Sequence, residues 1–356
     1  MIDLDRIQSC VRNSLDPAAR TASRLAGVIG DAPSHYSRSP AIWNEAFRAF
    51  HIDAMYIALD VDDVGLAALM AAVRECGDLL GLNVTVPHKI AVIKFLDTLE
   101  ESAKRIGAVN TIVRSSDGRL AGANTDGAGF IETLLVPGPD EEVALFQSLE
   151  DVNALVLGAG GSARAVAFAL AEKIGAGKLL IANRSYENGR ALAREVGQYH
   201  PNTFAIAEEE IPKAAPDAKL IVNCTIKGQA GIEHRGTPSL EAYSALAPAA
   251  GLSGDRENIE ENHRTSVEIA RSVPRDAVFY DLVYHPEETV FMRHGRASGH
   301  RVANGRGMIV AQAAEAFFNH ICRHELEAAG RRTSATQARL REIMNSGWMK
   351  STIPRP

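Results

Sequence analysis

Cysteine is scarce in this chain of 356 residues, with four in all, Cys10, Cys76, Cys224 and Cys322. They lie far apart, none belongs to a CxxC pair, and no Cys/His spacing of the zinc type occurs, so neither a disulfide framework nor a metal site is expected. Four reduced thiols suit a cytoplasmic protein. A surplus of positive charge is also lacking: 38 Lys and Arg against 44 Asp and Glu give a formal net charge of −6. That balance excludes a dominant nucleic-acid or anionic-membrane partner and leaves room for a local basic pocket. No stretch approaches the roughly 18 consecutive apolar residues of a membrane span. The opening Met1-Ile2-Asp3-Leu4-Asp5 has no basic region followed by an apolar run, so it does not read as a secretory signal. There is no internal repeat.

What is present is ordinary for a globular protein, 46% apolar and 23% charged. A chain of this length normally divides into two cores. Residues 25–29 read as a short buried strand that ends in Gly30 and a polar loop over 31–40. The pattern then predicts a helix over 41–50, a strand over 54–59, a helix over 65–76 with Asp62 and Asp63 as cap candidates, and a strand over 79–86. Such alternation builds a mostly parallel α/β layer. Runs at 111–114 and 119–122 flank Ser115-Ser116-Asp117-Gly118, whose turn chemistry predicts a hairpin. A helix over 127–135 and a proline-containing break follow, and a second α/β unit begins at Asn153. Residues 1–24 read as an extension with a loose apolar pattern (Ile2, Leu4, Ile7, Val11, Leu15). The segment from about 231 to 272 reads as a surface insertion. Residues 325–356 read as a solvated tail with a short helix over 336–344.

Ala154-Leu155-Val156-Leu157 has strand length and leads at once into Gly158-Ala159-Gly160-Gly161-Ser162-Ala163 and an apolar helix. Glycines at 158 and 160 with a small residue at 163 match G-x-G-x-x-G/A. That pattern permits a tight turn, close approach of backbone to a pyrophosphate and close helix–strand packing, with the phosphate on the helix N-terminus. Alone, the sextet would serve any tight turn; its place between strand and helix points to a dinucleotide. The next strand, 178–182, ends at Asn183-Arg184-Ser185, where an NAD site usually presents an acid to the ribose. No carboxylate stands there, and Arg184 offers planar donors suited to a 2′-phosphate. NADP is the expected cofactor and NAD the alternative.

Asn83-Val84-Thr85-Val86-Pro87-His88-Lys89 is the most informative stretch. Strand alternation puts Asn83 and Thr85 on one face, and Pro87 suits the first position of a helix with Ile90, Ile93 and Leu96 as its apolar stripe. Lys89 would then sit in the first turn, where the helix dipole disfavours its ammonium form and a nearby carboxylate favours it. Opposed influences suit a lysine that exchanges a proton; the plain alternative is a surface lysine. Asp126, in Asn124-Thr125-Asp126-Gly127, could simply cap the helix that follows. Asn110 could be a turn residue, and Ser37 and Ser39 either receive a carboxylate or serve a polar turn. Singly these are common residues.

Together they resemble the shikimate dehydrogenase family over about residues 25–322. The resemblance rests on Ser37-Arg38-Ser39-Pro40, residues 83–89, 107–111 and 124–127, the glycine sextet and Asn183-Arg184-Ser185. Asp281-Leu282-Val283-Tyr284 and Gly305-Arg306-Gly307-Met308 with Gln312 complete it in order and spacing. It implies an α/β fold of two domains: an N-terminal substrate domain (25–127 plus 306–324) and a Rossmann-type, doubly wound dinucleotide-binding domain (128–305). It implies an oxidoreductase of the aromatic amino-acid route that interconverts 3-dehydroshikimate and shikimate with NADP. Lys89 and Asp126 would be the catalytic pair. Ser37, Ser39 and Tyr284 would receive the substrate carboxylate, while Asn83, Thr85, Asn110 and Gln312 hold ring hydroxyls. Beside Gly158, Gly160, Gly161, Ser162, Ala163, Asn183, Arg184 and Ser185, the cofactor would meet Thr225, Gly305 and Met308. The partner is a small molecule, and the family includes monomers and homodimers.

Several positions depart from the family pattern. Tyr36 replaces a common His, Asn188 replaces a frequent basic residue, and the Asn223–Gln229 stretch lacks the usual Pro and Met at 226 and 229. Lys227 reads as solvent-facing, with a charge near the cofactor as the alternative. A quinate or aminoshikimate dehydrogenase is the nearest rival reading, and a noncatalytic ligand sensor is the rival from another class.

Overall fold

The computed structural model describes residues 4–139, 141–230, 239–248 and 253–351. The chain forms two compact units, Met1–Gly129 with Ile309–Pro356, and Phe130–Met308.

The first unit is built on a mixed sheet of β1 (Arg24–Gly30), β2 (Ala54–Asp60), β3 (Leu79–Val84), β4 (Thr98–Leu99), β5 (Thr111–Arg114) and β6 (Leu120–Ala123). Its order is β2-β1-β3-β5-β6-β4. β1 runs parallel to β2 and β3, whereas β3, β5 and β6 pair antiparallel. The predicted hairpin is present as β5–β6, closed by Ser115 N donating to Arg119 O at 2.9 Å, with Gly118 at φ +85 where a side chain would be strained. The Ser39–Phe50 helix buries Ile42, Trp43, Ala46, Phe47 and Phe50, a single face at helical spacing. Neither Asp62 nor Asp63 caps the Leu66–Glu75 helix, whose N-cap is Gly65 with no side-chain cap; Asp62 instead closes the turn ahead of it, its Oδ1 accepting from Val64 N (3.1 Å) and Gly65 N (2.8 Å).

Three expectations change here. Residues after β3 do not begin an α-helix: 86–90 are turns, followed by a 3-10 helix over Ala91–Phe95. The chain bends because His88 is fully buried, with Nε2 2.7 Å from Val61 O. Val92 therefore enters the core while Ile90 stays half exposed. The N-terminal extension is part of the core, since Leu4, Ile7, Leu15 and Ala19 belong to its apolar cluster; Ile2 lies outside the described residues. Asn13 also satisfies the open edge of β2, donating to Ala58 O (3.0 Å) and accepting from Asp60 N (2.8 Å), which protects an otherwise unpaired strand edge. The tail, as far as Ser351, is docked on this unit. The Ser334–Lys350 helix packs on the Ser39–Phe50 helix and buries Leu340, Met344 and Trp348. Their spacing of four is one helical stripe, too sparse to stand out among the charges around it.

The second unit contains β7 (Ala154–Leu157), β8 (Leu179–Ala182), β9 (Thr203–Ile206), β10 (Leu220–Asn223), β11 (Val278–Asp281) and β12 (Arg301–Ala303). All pairings are parallel, and the order is β9-β8-β7-β10-β11-β12. This is the doubly wound arrangement, with the order reversing between β7 and β10. β7, β10 and β11 are buried throughout, as strands covered on both faces must be. The expected surface insertion also reaches the interior at two places. Residues 231–238 and 249–252 of it lie outside the described residues. Tyr243 to Ala247 are buried, and the Arg256–Ser272 helix, capped by Asp255 accepting from Asn258 N at 2.8 Å, delivers Ile269 and Ala270 to the core. Among the described residues no helix is long and apolar enough to cross a membrane, and none of the four cysteines forms a disulfide.

Candidate active site

In the first unit the loops at the ends of β3, β5 and β6 bring Lys89, Asn110 and Asp126 together. The Lys89 carbonyl accepts from Val109 N at 2.8 Å, which pins its turn to the chain entering β5. Its ammonium donates to Asp126 Oδ2 at 2.6 Å, with side chains only 12% and 5% exposed. Asp126 is the first residue of the Asp126–Leu135 helix, where the N-terminal dipole favours a carboxylate. It is not the cap. Asn124 Oδ1 takes the Asp126 N–H at 3.1 Å, so the carboxylate is left for Lys89 and, through Oδ1, for Asn110 Nδ2 at 2.8 Å. Because residues 86–90 are turns, the helix-dipole influence expected on Lys89 is absent, and the carboxylate partner remains.

Gln312 joins from the Arg306–Glu315 helix. Its Oε1 lies 3.2 Å from Asn110 Nδ2 and its carbonyl accepts from Thr125 Oγ1 at 3.0 Å. A Cβ on Gly129 would sit 2.7 Å from Gln312 N, so only glycine allows this approach. The network continues through Thr111, which donates to Asn110 Oδ1 (2.9 Å) and accepts from Asn83 Nδ2 (3.2 Å). Tyr56 then donates to Asn83 Oδ1 at 2.7 Å. Thr111 and Thr125 sit inside the motifs read from the sequence without having been singled out; Tyr56 carried no signal there.

Ser37 and Ser39 stand at the N-terminus of the Ser39–Phe50 helix, half-buried, with Ser39 N donating to Ser37 Oγ at 3.2 Å. Burial raises the Tyr56 hydroxyl well above its usual range, opposed by a hydrogen bond with Ser39, so the serine pair connects to Asn83. Burial likewise pushes Tyr36 up to about 12, opposed by a hydrogen bond with Thr85. Eight of the expected residues, Ser37, Ser39, Asn83, Thr85, Lys89, Asn110, Asp126 and Gln312, belong to this unit. Tyr284 lies in the second unit, half-buried after β11.

In the second unit the residues fit a dinucleotide. Gly158 has φ +113, and a Cβ there would come within 3.3 Å of the Cys224 carbonyl and Thr225 Cγ2, which places the glycine loop and Thr225 at the ends of β7 and β10. The Gly161–Ala171 helix has Gly160 as its N-cap, with no side-chain cap and open space where a Cβ would lie. A helix N-terminus of this kind suits a phosphate. Gly161 and Ser162 follow in the first turn, and Ala163 is buried. Beyond β8, Asn183 Nδ2 donates to Ser185 O at 2.9 Å. Arg184 is exposed and pairs with no carboxylate among the described residues. Gly305 admits nothing larger, since a Cβ would lie 2.0 Å from Leu282 O, and Met308 is buried.

Two groups of this unit have buried partners that the sequence did not reveal. Lys227 is neither solvent-facing nor free: it is 6% exposed and donates to Glu208 Oε1 (2.9 Å) and Ala247 O (3.3 Å). Asp281 is fully buried and accepts from Asn223 Nδ2 (2.8 Å), Val283 N (2.9 Å) and Thr289 Oγ1 (2.6 Å). Burial still pushes it up to about 7. A carboxyl whose folded-state pKa is raised holds its proton more tightly when folded. Its stabilising contribution is complete below the ordinary carboxylate pKa and is lost as pH rises through 7. A shift of this size corresponds to at most about 4 kcal/mol. The urea midpoint is expected to fall between pH 5 and 8, and Asp281→Asn, which keeps the shape and can still bond Thr289, to flatten that slope. An equal slope in the variant would assign it to other groups.

Comparison with known proteins agrees with this geometry. Residues 28–112 match the family model described as shikimate dehydrogenase substrate binding domain, and residues 142–241 match shikimate / quinate 5-dehydrogenase. The chain is 36% identical over 294 residues to shikimate dehydrogenase (NADP(+)) of Geobacillus kaustophilus, covering 83% of this chain and 91% of that protein. It is 38% identical over 300 residues to the enzyme of the same name from Symbiobacterium thermophilum, covering 83% and 88%. Among solved structures, shikimate 5-dehydrogenase from Thermus thermophilus, in complex with NADP(H) and shikimate, superposes with a TM-score of 0.64 at 29% identity. That match covers 91% of this chain and 99% of that one.

Proposed function

The chain belongs to the shikimate dehydrogenase family, and from that premise we propose that it is an NADP-dependent shikimate dehydrogenase of the aromatic amino-acid route. It reversibly reduces the ring carbonyl of 3-dehydroshikimate to the alcohol of shikimate. The observation that carries this reading is the Lys89–Asp126 pair, enclosed with Asn110 and Gln312 in one hydrogen-bonded set. The unit of Met1–Gly129 with Ile309–Pro356 acts as the substrate domain and Phe130–Met308 as the dinucleotide domain, in a cytoplasmic protein without disulfides.

Bound NADPH supplies the hydride to the carbonyl carbon. Lys89 gives a proton from Nζ to the oxygen as it gains negative charge, so hydride and proton together complete the alcohol; in the reverse direction the amine takes that proton back. Asp126 orients Lys89 and accepts a hydrogen bond from the neighbouring ring hydroxyl. Asn83, Thr85, Asn110 and Gln312 hold the hydroxyls, and Ser37, Ser39 and Tyr284 receive the carboxylate, which fixes the ring before reaction. On the cofactor, Gly158, Gly160, Gly161, Ser162 and Ala163 receive the pyrophosphate. Asn183, Arg184 and Ser185 receive the 2′-phosphate, with Thr225, Gly305 and Met308 toward the nicotinamide.

The test is absorbance at the reduced-nicotinamide band with shikimate or quinate and either cofactor. Shikimate with NADP should give the highest kcat/KM. Arg184→Ala is expected to raise KM for NADP by about tenfold or more while leaving NAD turnover unaltered, as loss of a charge-assisted phosphate contact would. A higher kcat/KM for quinate would move the substrate assignment, and tight shikimate binding with no turnover would favour a sensor.

A further inference from the structure

Arg38 lies between Ser37 and Ser39, so a cation stands beside the two hydroxyls assigned to the substrate carboxylate. Its guanidinium is engaged elsewhere. Nη1 donates to Trp348 O (3.3 Å), Ser351 O (3.0 Å) and Ser351 Oγ (3.0 Å), and the group sits 4.7 Å from the centre of the Trp348 ring. These partners all belong to the C-terminal segment. Meanwhile the Arg38 carbonyl accepts from Ala41 N (3.1 Å) and Ile42 N (3.2 Å), closing the first turn of the Ser39–Phe50 helix. One residue thus ties the start of that helix to the end of the chain.

The same two helices are joined along their length. Trp348 is buried, and a Cβ on Gly347 would come within 3.0 Å of Ile42 Cα, so the backbones meet there. Lys350 pairs with Glu45 at 2.7 Å. At the far end Arg331 Nη1 donates to Phe50 O at 2.7 Å. The Ser39–Phe50 helix is therefore gripped at both ends by the C-terminal segment, and Arg38 is the grip nearest the serines.

We propose that the C-terminal helix, acting through Arg38, positions the Ser37–Ser39 turn and so sets the enzyme's affinity for the substrate carboxylate. Arg38 is a positioning residue and not itself the carboxylate ligand. The inference rests on the reading of Ser37 and Ser39 as the carboxylate receivers. Hydroxyls and helix N–H groups reward a carboxylate only when held within a few tenths of an ångström of the productive arrangement. Releasing the turn should weaken ground-state and transition-state binding together, which raises KM and spares kcat.

The experiment compares shikimate with its methyl ester in the full-length protein and in Arg38→Ala, Arg38→Lys and Trp348→Ala. The unmodified enzyme should prefer the acid. In Arg38→Ala and Trp348→Ala, KM for the acid should rise about tenfold with kcat and KM for NADP within about twofold, while KM for the ester barely moves. Arg38→Lys, which keeps the charge over Trp348 but not the fork, should fall between. A general loss of structure would lower acid and ester turnover alike, and that outcome overturns the proposal. So does a normal KM in Trp348→Ala with a raised one in Arg38→Ala, which would make Arg38 a direct ligand. Absence of any acid preference in the unmodified enzyme would instead remove the serine reading, and the proposal with it.

Discussion

Replacing Lys89 by methionine is expected to lower kcat for shikimate oxidation by about 10³-fold, within the range that a positioned acid–base group contributes. The substitution keeps the methylene stem and removes the only atom that can exchange a proton with the ring oxygen. KM for NADP should stay within about twofold, because nothing on the cofactor side depends on this side chain. Asp126→Asn should cost less, about 10²-fold, since it leaves the amine in place but unheld. The double variant Lys89→Met/Asp126→Asn is the informative one. If Asp126 works by orienting Lys89, removing both should be hardly worse than removing Lys89, the non-additivity of groups that act as a unit. Steady-state kinetics on the three variants check this. Additive losses would make the bond from Asp126 to the ring hydroxyl its main task, and near-normal turnover in Lys89→Met would remove the lysine from the chemistry altogether. Thermal melts belong beside the kinetics, because breaking a buried pair on one side leaves an uncompensated charge.

A second large effect is expected well behind the reacting groups. Trp43 is fully buried, stacked on Tyr56 at 4.9 Å and flanked by Phe47 and Phe317. Trp43→Ala should destabilise the protein by about 3–5 kcal/mol, the usual cost of emptying an aromatic site. It should also raise KM for shikimate, because Tyr56 is held by that stack and donates to Asn83. Trp43→Phe should lose less than half as much. The indole N–H has no hydrogen-bond partner among the described residues, and removing a buried unsatisfied donor offsets part of the lost contact. Urea unfolding and shikimate kinetics on both variants read the two effects separately. Equal losses in alanine and phenylalanine would mean that ring size, and not the stack, is what the site requires.

How much of this was legible beforehand depended on how local each feature is. The glycine sextet could be read because its strand, turn and helix are contiguous, and the open space at Gly160 and the positive φ at Gly158 are what such a loop needs. The β5–β6 hairpin was legible for the same reason, its turn lying between its two strands. Lys89 and Asp126 were singled out by the family resemblance, and the fold brings them into contact, although the helix imagined around Lys89 is a turn. The buried His88 ring, bonded to Val61 O, bends the chain there, and that contact spans 27 residues.

The residues alone determined the alternation of elements and the dinucleotide loop, because each is written in neighbouring side chains and the steric limits of the backbone. Folding decided the rest: that Gln312 reaches Asn110 across 202 positions, that Lys227 finds Glu208, that Leu4, Ile7, Met344 and Trp348 are buried, and that Arg38 turns from the serines toward Trp348. None of these follows from local preference. Each depends on which distant surfaces lose water together, and that free energy appears only once the sheets and helices have been brought into contact.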